Sequence, residues 1–337
     1  MIRKIKRKTL EQGIIVLLIL FAITFTLIGV SFTTNYVTGS DNITNLTIIA
    51  KVNVTNTEPN ITAVTLNDDD TSTPEIDLTA NGVTVVTCNA TVWDYNGWQD
   101  IDADSTNATL FIQSVGPDSD PDNNHLYINR SCGRCIQISS TEAACDCRFA
   151  VQYYANASDS WLCNISITDK GGTGKPGEEL NFSDSEVSSS TTVTKLLALE
   201  TPTTVLDYGN LSVTETSAAI LRNVTNAGNI DFNLTFRGYG GENDSITNDT
   251  VAMICTYGNI SFGYHRYVVG LNTSFADMKN LTNQTLDSNF TLSRRTNDNT
   301  AGVREDINST FWRLQIPLST GGLCNGSIVF GAIETGE

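Results

Sequence analysis

The sequence predicts an all-β fold, two β-sandwich domains in tandem behind a single N-terminal transmembrane or signal helix. Three observations predict it. A basic cluster runs straight into one uncharged apolar segment, the apolar residues beyond it recur with a period of two, and the eight cysteines sit in strand-like settings.

Arg3, Lys4, Lys6, Arg7 and Lys8 make residues 1–13 a basic tail, and Ile14 to Phe32 then continue for nineteen residues without a charge. That length matches the hydrocarbon core of a bilayer. Basic flanks stay on the cytoplasmic side, so the rule places the tail inside and everything after Phe32 outside the cell. Residues 14–32 read either as a membrane anchor or as the h-region of a signal peptide, with small residues near Gly29 to Ser31 as its cleavage site. The length favours the anchor, because an h-region usually stops by about fifteen residues. The expected location is the cell membrane, single-pass with the C-terminal part extracellular, or the secreted and cell-surface space if the leader is cleaved.

A chain of 337 residues leaves room for two ordinary domains after that segment. The net charge of −17 understates the outer part: without the five N-terminal basic residues and Glu11, fifteen positive and thirty-six negative charges remain, or −21. Such a surface repels nucleic acid and anionic lipid, and it reads either as attracting divalent cations or simply as a solvated acidic face that keeps a crowded surface protein soluble.

Twenty-two of the thirty-three asparagines stand in Asn-x-Ser/Thr with x not Pro. They are Asn42, Asn45, Asn53, Asn60, Asn89, Asn107, Asn129, Asn156, Asn164, Asn181 and Asn210, then Asn223, Asn233, Asn243, Asn248, Asn259, Asn272, Asn280, Asn283, Asn289, Asn308 and Asn325. With Ser and Thr at about a fifth of positions, chance would give about seven. The excess points to a chain shaped by N-linked glycans, which require exposed sites in an exported protein.

Residues 33–57 read as a glycosylated stalk, in which the alternation Leu46, Ile48, Ala50, Val52 and Val54 offers a first strand. Residues 58–197 read as the first sandwich, of about seven strands. Val86, Cys88, Ala90 and Val92 fall on one face of a strand, with Asn89 on the other. Trp161, Cys163, Ile165 and Ile167 repeat the arrangement against Asn164. Two inward cysteines backed by outward sequons make Cys88–Cys163 a natural bridge between sheets. Ala108, Leu110 and Ile112, and Cys147, Phe149, Val151 and Tyr153, supply further inward faces.

Cys132, Cys135, Cys145 and Cys147 form a compact cluster. Paired residues of an antiparallel hairpin have numbers of constant sum, and Cys132 with Cys147 and Cys135 with Cys145 give 279 and 280 around a turn at Ser139 and Ser140. A bulge absorbs the offset. Opposed residues in such a ladder lie within disulfide reach. A four-thiolate zinc site is the competing reading, disfavoured by an oxidising compartment. With His125 and His265 the only histidines, a metal-hydrolase constellation is excluded.

Acidic loops punctuate this domain, and Asp94, Asn96, Asp100, Asp102 and Asp104 form a candidate structural calcium site, since Ca²⁺ takes carboxylate and carbonyl oxygens in flexible geometry. The spacing is not that of an EF-hand loop; the competing reading is an Asx-rich turn. No other cofactor is expected. Gly171 to Gly177 is not a phosphate-binding loop, because Asp169 replaces its first Gly and Pro176 its Ser or Thr. Glu178 to Thr194 supplies an edge strand and linker.

Residues 198–337 read as the second sandwich. Asn223 to Phe236 is expected as strand, Asn-Ala-Gly-Asn turn, strand, with Ile230, Phe232, Leu234 and Phe236 inward. Val251, Met253 and Cys255, then Trp312, Leu314 and Ile316, then Cys324, Ile328 and Phe330 make further inward faces. Cys255 and Cys324 pair, being alone here. Ala276 to Arg295, dense in sequons, reads as an irregular glycosylated excursion.

The strand Cys-Asn-Ala-Thr-Val-Trp-Asp with the following Asn-Gly-Trp-Gln-Asp-Ile, the strand Trp-Leu-Cys-Asn-Ile-Ser-Ile-Thr-Asp and the Asn-Val-Thr-Asn-Ala-Gly-Asn hairpin resemble the immunoglobulin-like β-sandwich modules of archaeal secreted and cell-surface proteins. The resemblance covers roughly Asn60 to Glu337. Two departures stand out: Trp161 holds the place of the tyrosine-corner Tyr, and the cysteine cluster is extra. It implies a fold and an outer-surface location but no ligand. The expected function is therefore that of a non-enzymatic, glycosylated surface protein, structural or adhesive in the cell envelope, held to the membrane by its N-terminal helix and able to meet other envelope subunits. A filament or pilus subunit is the alternative, although Glu11 precedes the apolar run where a pilin would carry Glu inside it. A secreted hydrolase is disfavoured, because no nucleophile motif is present.

Overall fold

Alternating apolar residues that have a second sheet to face build this fold, whose described residues are 50% strand and 3% helix. The computed structural model describes residues 48–70, 73–175, 178–180, 182–244, 249–296 and 304–335. The basic tail 1–13, the helix expected over 14–32, the stalk to residue 47, and the sequons Asn42, Asn45, Asn181 and Asn248 lie outside them. No helix among the described residues is long and apolar enough to cross a membrane. The chain divides into one unit, Met1–Asn53, and a second, Val54–Glu337. Among the described residues no strand forms between Ile48 and Asn60; Ile48, Val52 and Val54 are 80%, 88% and 69% exposed. This corrects the expectation of a strand through Val54. A period-two pattern becomes a strand only where a neighbouring strand takes up its backbone hydrogen bonds.

The first half comprises β1 (Asn60–Asp68), β2 (Val83–Trp93), β3 (Ile101–Ile112), β4 (Leu126–Asn129), β5 (Cys135–Gln137), β6 (Glu142–Gln152) and β7 (Ser158–Asp169). A small hairpin, β8 (Gly172–Lys175) and β9 (Glu178–Leu180), precedes β10 (Ser183–Val187) and β11 (Thr191–Val193). One sheet has the order β1-β2-β6-β5, the other β10-β7-β3-β4 with β11 also on β7. Val86, Cys88, Ala90 and Val92 of β2 meet Trp161, Cys163, Ile165 and Ile167 of β7 in one buried cluster shared by both sheets. Cys88–Cys163 crosses that core. Trp161 is fully buried, and its indole N–H donates to the Asn156 carbonyl at 2.9 Å, five residues upstream.

Cys135 and Cys145 lie opposite one another on β5 and β6, as the constant-sum rule requires, and are bridged. Cys132–Cys147 closes outside them. The one-residue offset needs no bulge in that ladder, because Cys132 lies before β5 begins.

The second half comprises β12 (Leu199–Glu200), β13 (Ile220–Asn226), β14 (Phe232–Gly240), β15 (Met253–Tyr257), β16 (Asn259–Ile260), β17 (His265–Val269), β18 (Lys279–Asn280), β19 (Leu286–Leu292), β20 (Ile307–Leu314) and β21 (Gly321–Glu334). Two sheets, β12-β13-β20-β17-β18 and β16-β15-β21-β14-β19, share a core of Val224, Phe232, Leu234, Phe236, Tyr267 and Trp312. Cys255 and Cys324 are ladder partners on β15 and β21 and are bridged. The Ala276 to Arg295 stretch is less irregular than expected, since β18 and β19 both lie in it as edge strands. Five edge strands, β1, β4, β16, β18 and β19, each carry a sequon: Asn60, Asn129, Asn259, Asn280 and Asn289.

The Asn226-Ala227-Gly228-Asn229 turn does not close a hairpin. It carries the chain from β13 in one sheet to β14 in the other, correcting the expected strand pairing. Its buried position explains the choice: Asn229 Oδ1 accepts from the Leu196 amide at 2.7 Å, Asn229 Nδ2 donates to the Thr194 carbonyl at 2.9 Å, and the Ala227 amide donates to Ala198. The turn is where the connecting segment between the halves docks. A Cβ at Gly228 would meet the Leu196 carbonyl oxygen at 2.0 Å, so only Gly fits.

His265 is buried in the second half, with Nε2 2.7 Å from the Tyr208 hydroxyl and Nδ1 without a partner. Burial pushes the Tyr208 hydroxyl far up, so it stays a neutral phenol beside the ring, and the imidazole tautomer sets which of the two donates. Burial also holds the imidazole down, from 6.5 to about 4. The unfolded chain takes up this proton near pH 6.5 and the folded chain only near 4, so the stabilisation is complete above 6.5 and is lost as pH falls through that window. Denaturant unfolding at pH 7 and pH 4.5 should show His265→Gln losing roughly 2 kcal/mol less than the parent over that interval. Equal losses would place the acid sensitivity elsewhere.

Candidate metal centre

At the end of β2 the chain turns sharply. The Asp94 amide donates to the Thr141 carbonyl at 2.9 Å, the Asp94 carboxylate Oδ1 accepts from the Asn96 amide at 2.7 Å, and Gly97 at φ +115 reverses the backbone. A single 3₁₀ turn, Trp98–Asp100, then delivers the chain to β3. Antiparallel pairing of β3 with β7 sets Ile101 opposite Asp169, so the last residue of β7 arrives beside Asp100.

One carboxylate oxygen from each of Asp94, Asp100 and Asp169 lies within 4.8 Å of the others. Asp94 is 0% exposed, Asp169 1%, and Asp100 is half-buried. Asp169 is held from three sides: Oδ1 accepts from the Gly171 and Phe182 amides, each at 3.0 Å, and Oδ2 accepts from Asn56 Nδ2 at 2.7 Å. Asp94 Oδ2 is buried without a hydrogen-bond partner. Among the described residues no ion pair reaches any of the three, and the Lys170 ammonium goes instead to the Gln99 carbonyl at 2.6 Å. Burial, with the charges of Asp100 and Asp169 adding to it, pushes the Asp94 carboxyl up. Burial and then the charge of Asp169 raise Asp100, against the opposing pull of Lys170. The donor set is oxygen only.

The structure thus keeps Asp94 and Asp100 of the expected loop and corrects the rest. Asn96 is exposed and turned to the N-terminal segment, where Oδ1 accepts from the Thr57 amide at 2.8 Å and Nδ2 donates to the Thr55 carbonyl at 3.2 Å. Asp102 sits in the β3 ladder opposite Thr168, and Asp104 lies exposed on the irregular stretch that follows; neither joins the group. Strand parity alone would keep Asp100, Asp102 and Asp104 together; they part because Asp100 belongs to the 3₁₀ turn before β3, whereas Asp102 is fixed in the ladder and Asp104 falls where the register shifts after it.

Asp169 lies outside the acidic loop that the sequence singles out, yet a signal for it exists. Asp94 stands six residues beyond Cys88, and Asp169 six beyond Cys163. An even step keeps each Asp on the inward face of its strand, and the bridge sets the two strands against each other, so equal steps in the same chain direction bring both carboxylates to one rim of the core.

The other expected site residues are placed as follows. All eight cysteines form the four bridges Cys88–Cys163, Cys132–Cys147, Cys135–Cys145 and Cys255–Cys324, so no zinc-binding thiolates remain. None of the eighteen described sequon asparagines is buried, whereas Asn124, Asn226 and Asn229 are buried among the eight described asparagines outside sequons.

No protein-family model matches the chain, and no curated protein does. A solved structure described as manganese lipoxygenase of Gaeumannomyces graminis with part of zonadhesin of Komagataella pastoris is similar at 11% identity over 82% of this chain and 90% of that one, with a TM-score of 0.14, a likeness that carries no argument.

Proposed function

We propose that this chain is a non-enzymatic, N-glycosylated protein of the cell surface, held by its N-terminal apolar segment and presenting two immunoglobulin-like sandwiches, residues 58–197 and 198–337, in a structural or adhesive role in the envelope. The observation that carries this reading is the partition of asparagines. A glycan needs room and water, so a chain that bears many of them keeps acceptor asparagines out of the core and buries only the others, as this one does. Four bridges with no cysteine left over support an oxidising compartment. The Trp161 indole, two residues before Cys163, bonds back to the backbone as a tyrosine-corner hydroxyl would, which supports the immunoglobulin-like reading of the first half.

Intact mass of the native protein, before and after chemical deglycosylation and with thiol alkylation before and after reduction, tests this. The expected result is a mass well above the polypeptide's, heterogeneous until the sugars are removed, with eight alkylation sites opening only on reduction. A bare polypeptide mass, at or below 36.5 kDa, or thiols that alkylate without reduction, would overturn the reading.

A further inference from the structure

We propose that Asp94, Asp100 and Asp169 bind a calcium ion, and that this ion locks the N-terminal approach of the chain, residues 55–57, onto the first pair of sheets. Three features carry it. An ion held by oxygens at 2.3–2.6 Å can have ligand atoms no more than about 5 Å apart, and the mutual limit of 4.8 Å among these three carboxylates meets that condition. The buried Asp94 Oδ2 has no donor, and leaving such an oxygen dry and unpaired is costly unless a cation sits against it. The set holds neither nitrogen nor sulfur, which selects a hard cation over zinc or copper; waters complete its shell. Calcium fits better than magnesium, which demands near-ideal octahedral geometry and gives up water reluctantly.

The site is also the place where residues 55–57 attach. Asn56 donates to Asp169, one of the three carboxylates, and Asn96, which receives Thr57 and Thr55, lies in the Asp94–Asp100 turn between the other two. An ion that fixes the turn and the end of β7 relative to each other fixes both attachment points together. Without it, three like charges push those points apart. This reasoning rests on geometry alone and is independent of whether sugars are attached.

The experiment uses the full chain in detergent, stripped with EGTA and followed by thermal unfolding and by hydrogen exchange at the Thr57 amide. Calcium at a hundred-fold excess over its dissociation constant should raise the midpoint of the first half by about 5–10 °C and slow exchange at Thr57. Asp100→Asn should abolish both responses. Among the described residues the Asp100 side chain makes no hydrogen bond to lose, so this variant in EGTA should unfold at or above the parent's midpoint, relieved of one repulsive charge. Asp102→Asn should keep the full response. No calcium response in the parent would overturn the proposal, as would an undiminished one in Asp100→Asn or an equal response to magnesium.

Discussion

Replacing Cys88 and Cys163 together by Ala should cost about 4–5 kcal/mol, the largest loss expected from removing any one bridge in this chain. The bridge closes 75 residues, and in the chain-entropy model its effect grows with the logarithm of that loop. Both sulfurs are fully buried between the two sheets, so the alanines also leave a small void. The inner member of the cysteine cluster makes the contrast. Cys135–Cys145 closes ten residues inside a loop already tied by Cys132–Cys147, and its removal should cost only about 2 kcal/mol. The two positions must be changed together, since Cys147 stands directly opposite Cys88 in the β2–β6 ladder and is within reach for exchange with a lone thiol. Guanidinium unfolding followed by tryptophan fluorescence in a Trp312→Phe background, which leaves Trp93, Trp98 and Trp161, reads the result in the first half. A loss below about 1 kcal/mol would mean that the apolar faces hold the sheets together unaided.

Trp312→Ala should destabilise the second half by about 3–5 kcal/mol and leave the first half untouched. Trp312 is fully buried at the centre of a group of rings, with centroids 5.2 Å from Phe236, 5.3 Å from Tyr267, 5.5 Å from Phe330 and 5.9 Å from His265. These residues come from β14, β17 and β21 as well as β20, so one side chain joins both sheets. Its indole N–H is satisfied by Thr310 Oγ1 at 2.9 Å, and that hydroxyl keeps its own acceptor, the Arg222 carbonyl, when the ring is removed. The cost is thus a cavity and lost ring contacts rather than a stranded polar group. Calorimetry should show one transition falling by about 10–20 °C while the other holds. A concerted fall of both would show that the halves unfold as one body, through such contacts as the Tyr153 hydroxyl on Asp306.

What was legible in the sequence was what depends on parity. Val86, Cys88, Ala90 and Val92, and Trp161, Cys163, Ile165 and Ile167, face inward because β2 and β7 alternate unbroken through these residues, and their cysteines pair because inward cysteines on facing strands meet. Which strands are neighbours was harder to read. The Asn226–Asn229 turn carries ordinary hairpin residues, and only the linker that it receives, Thr194 to Ala198, decides that the chain crosses between sheets there. The run Ile48 to Val54 has the right period, yet its apolar side chains stay exposed. The acidic group lay half in view: Asp94 and Asp100 belong to one loop, but Asp169 comes from a strand whose proximity is created by the β3–β7 register.

The five edge strands that bear sequons have a further consequence. An open edge offers a row of unused amides and carbonyls to any extended chain nearby, and proteins commonly blunt such edges with charge, proline or distortion. Here a bulky hydrated branch at Asn60, Asn129, Asn259, Asn280 and Asn289 would do the same by standing in the path of an incoming strand. If the proposed glycosylated surface location holds, such fencing would hinder neighbouring copies from adding strands at these five edges.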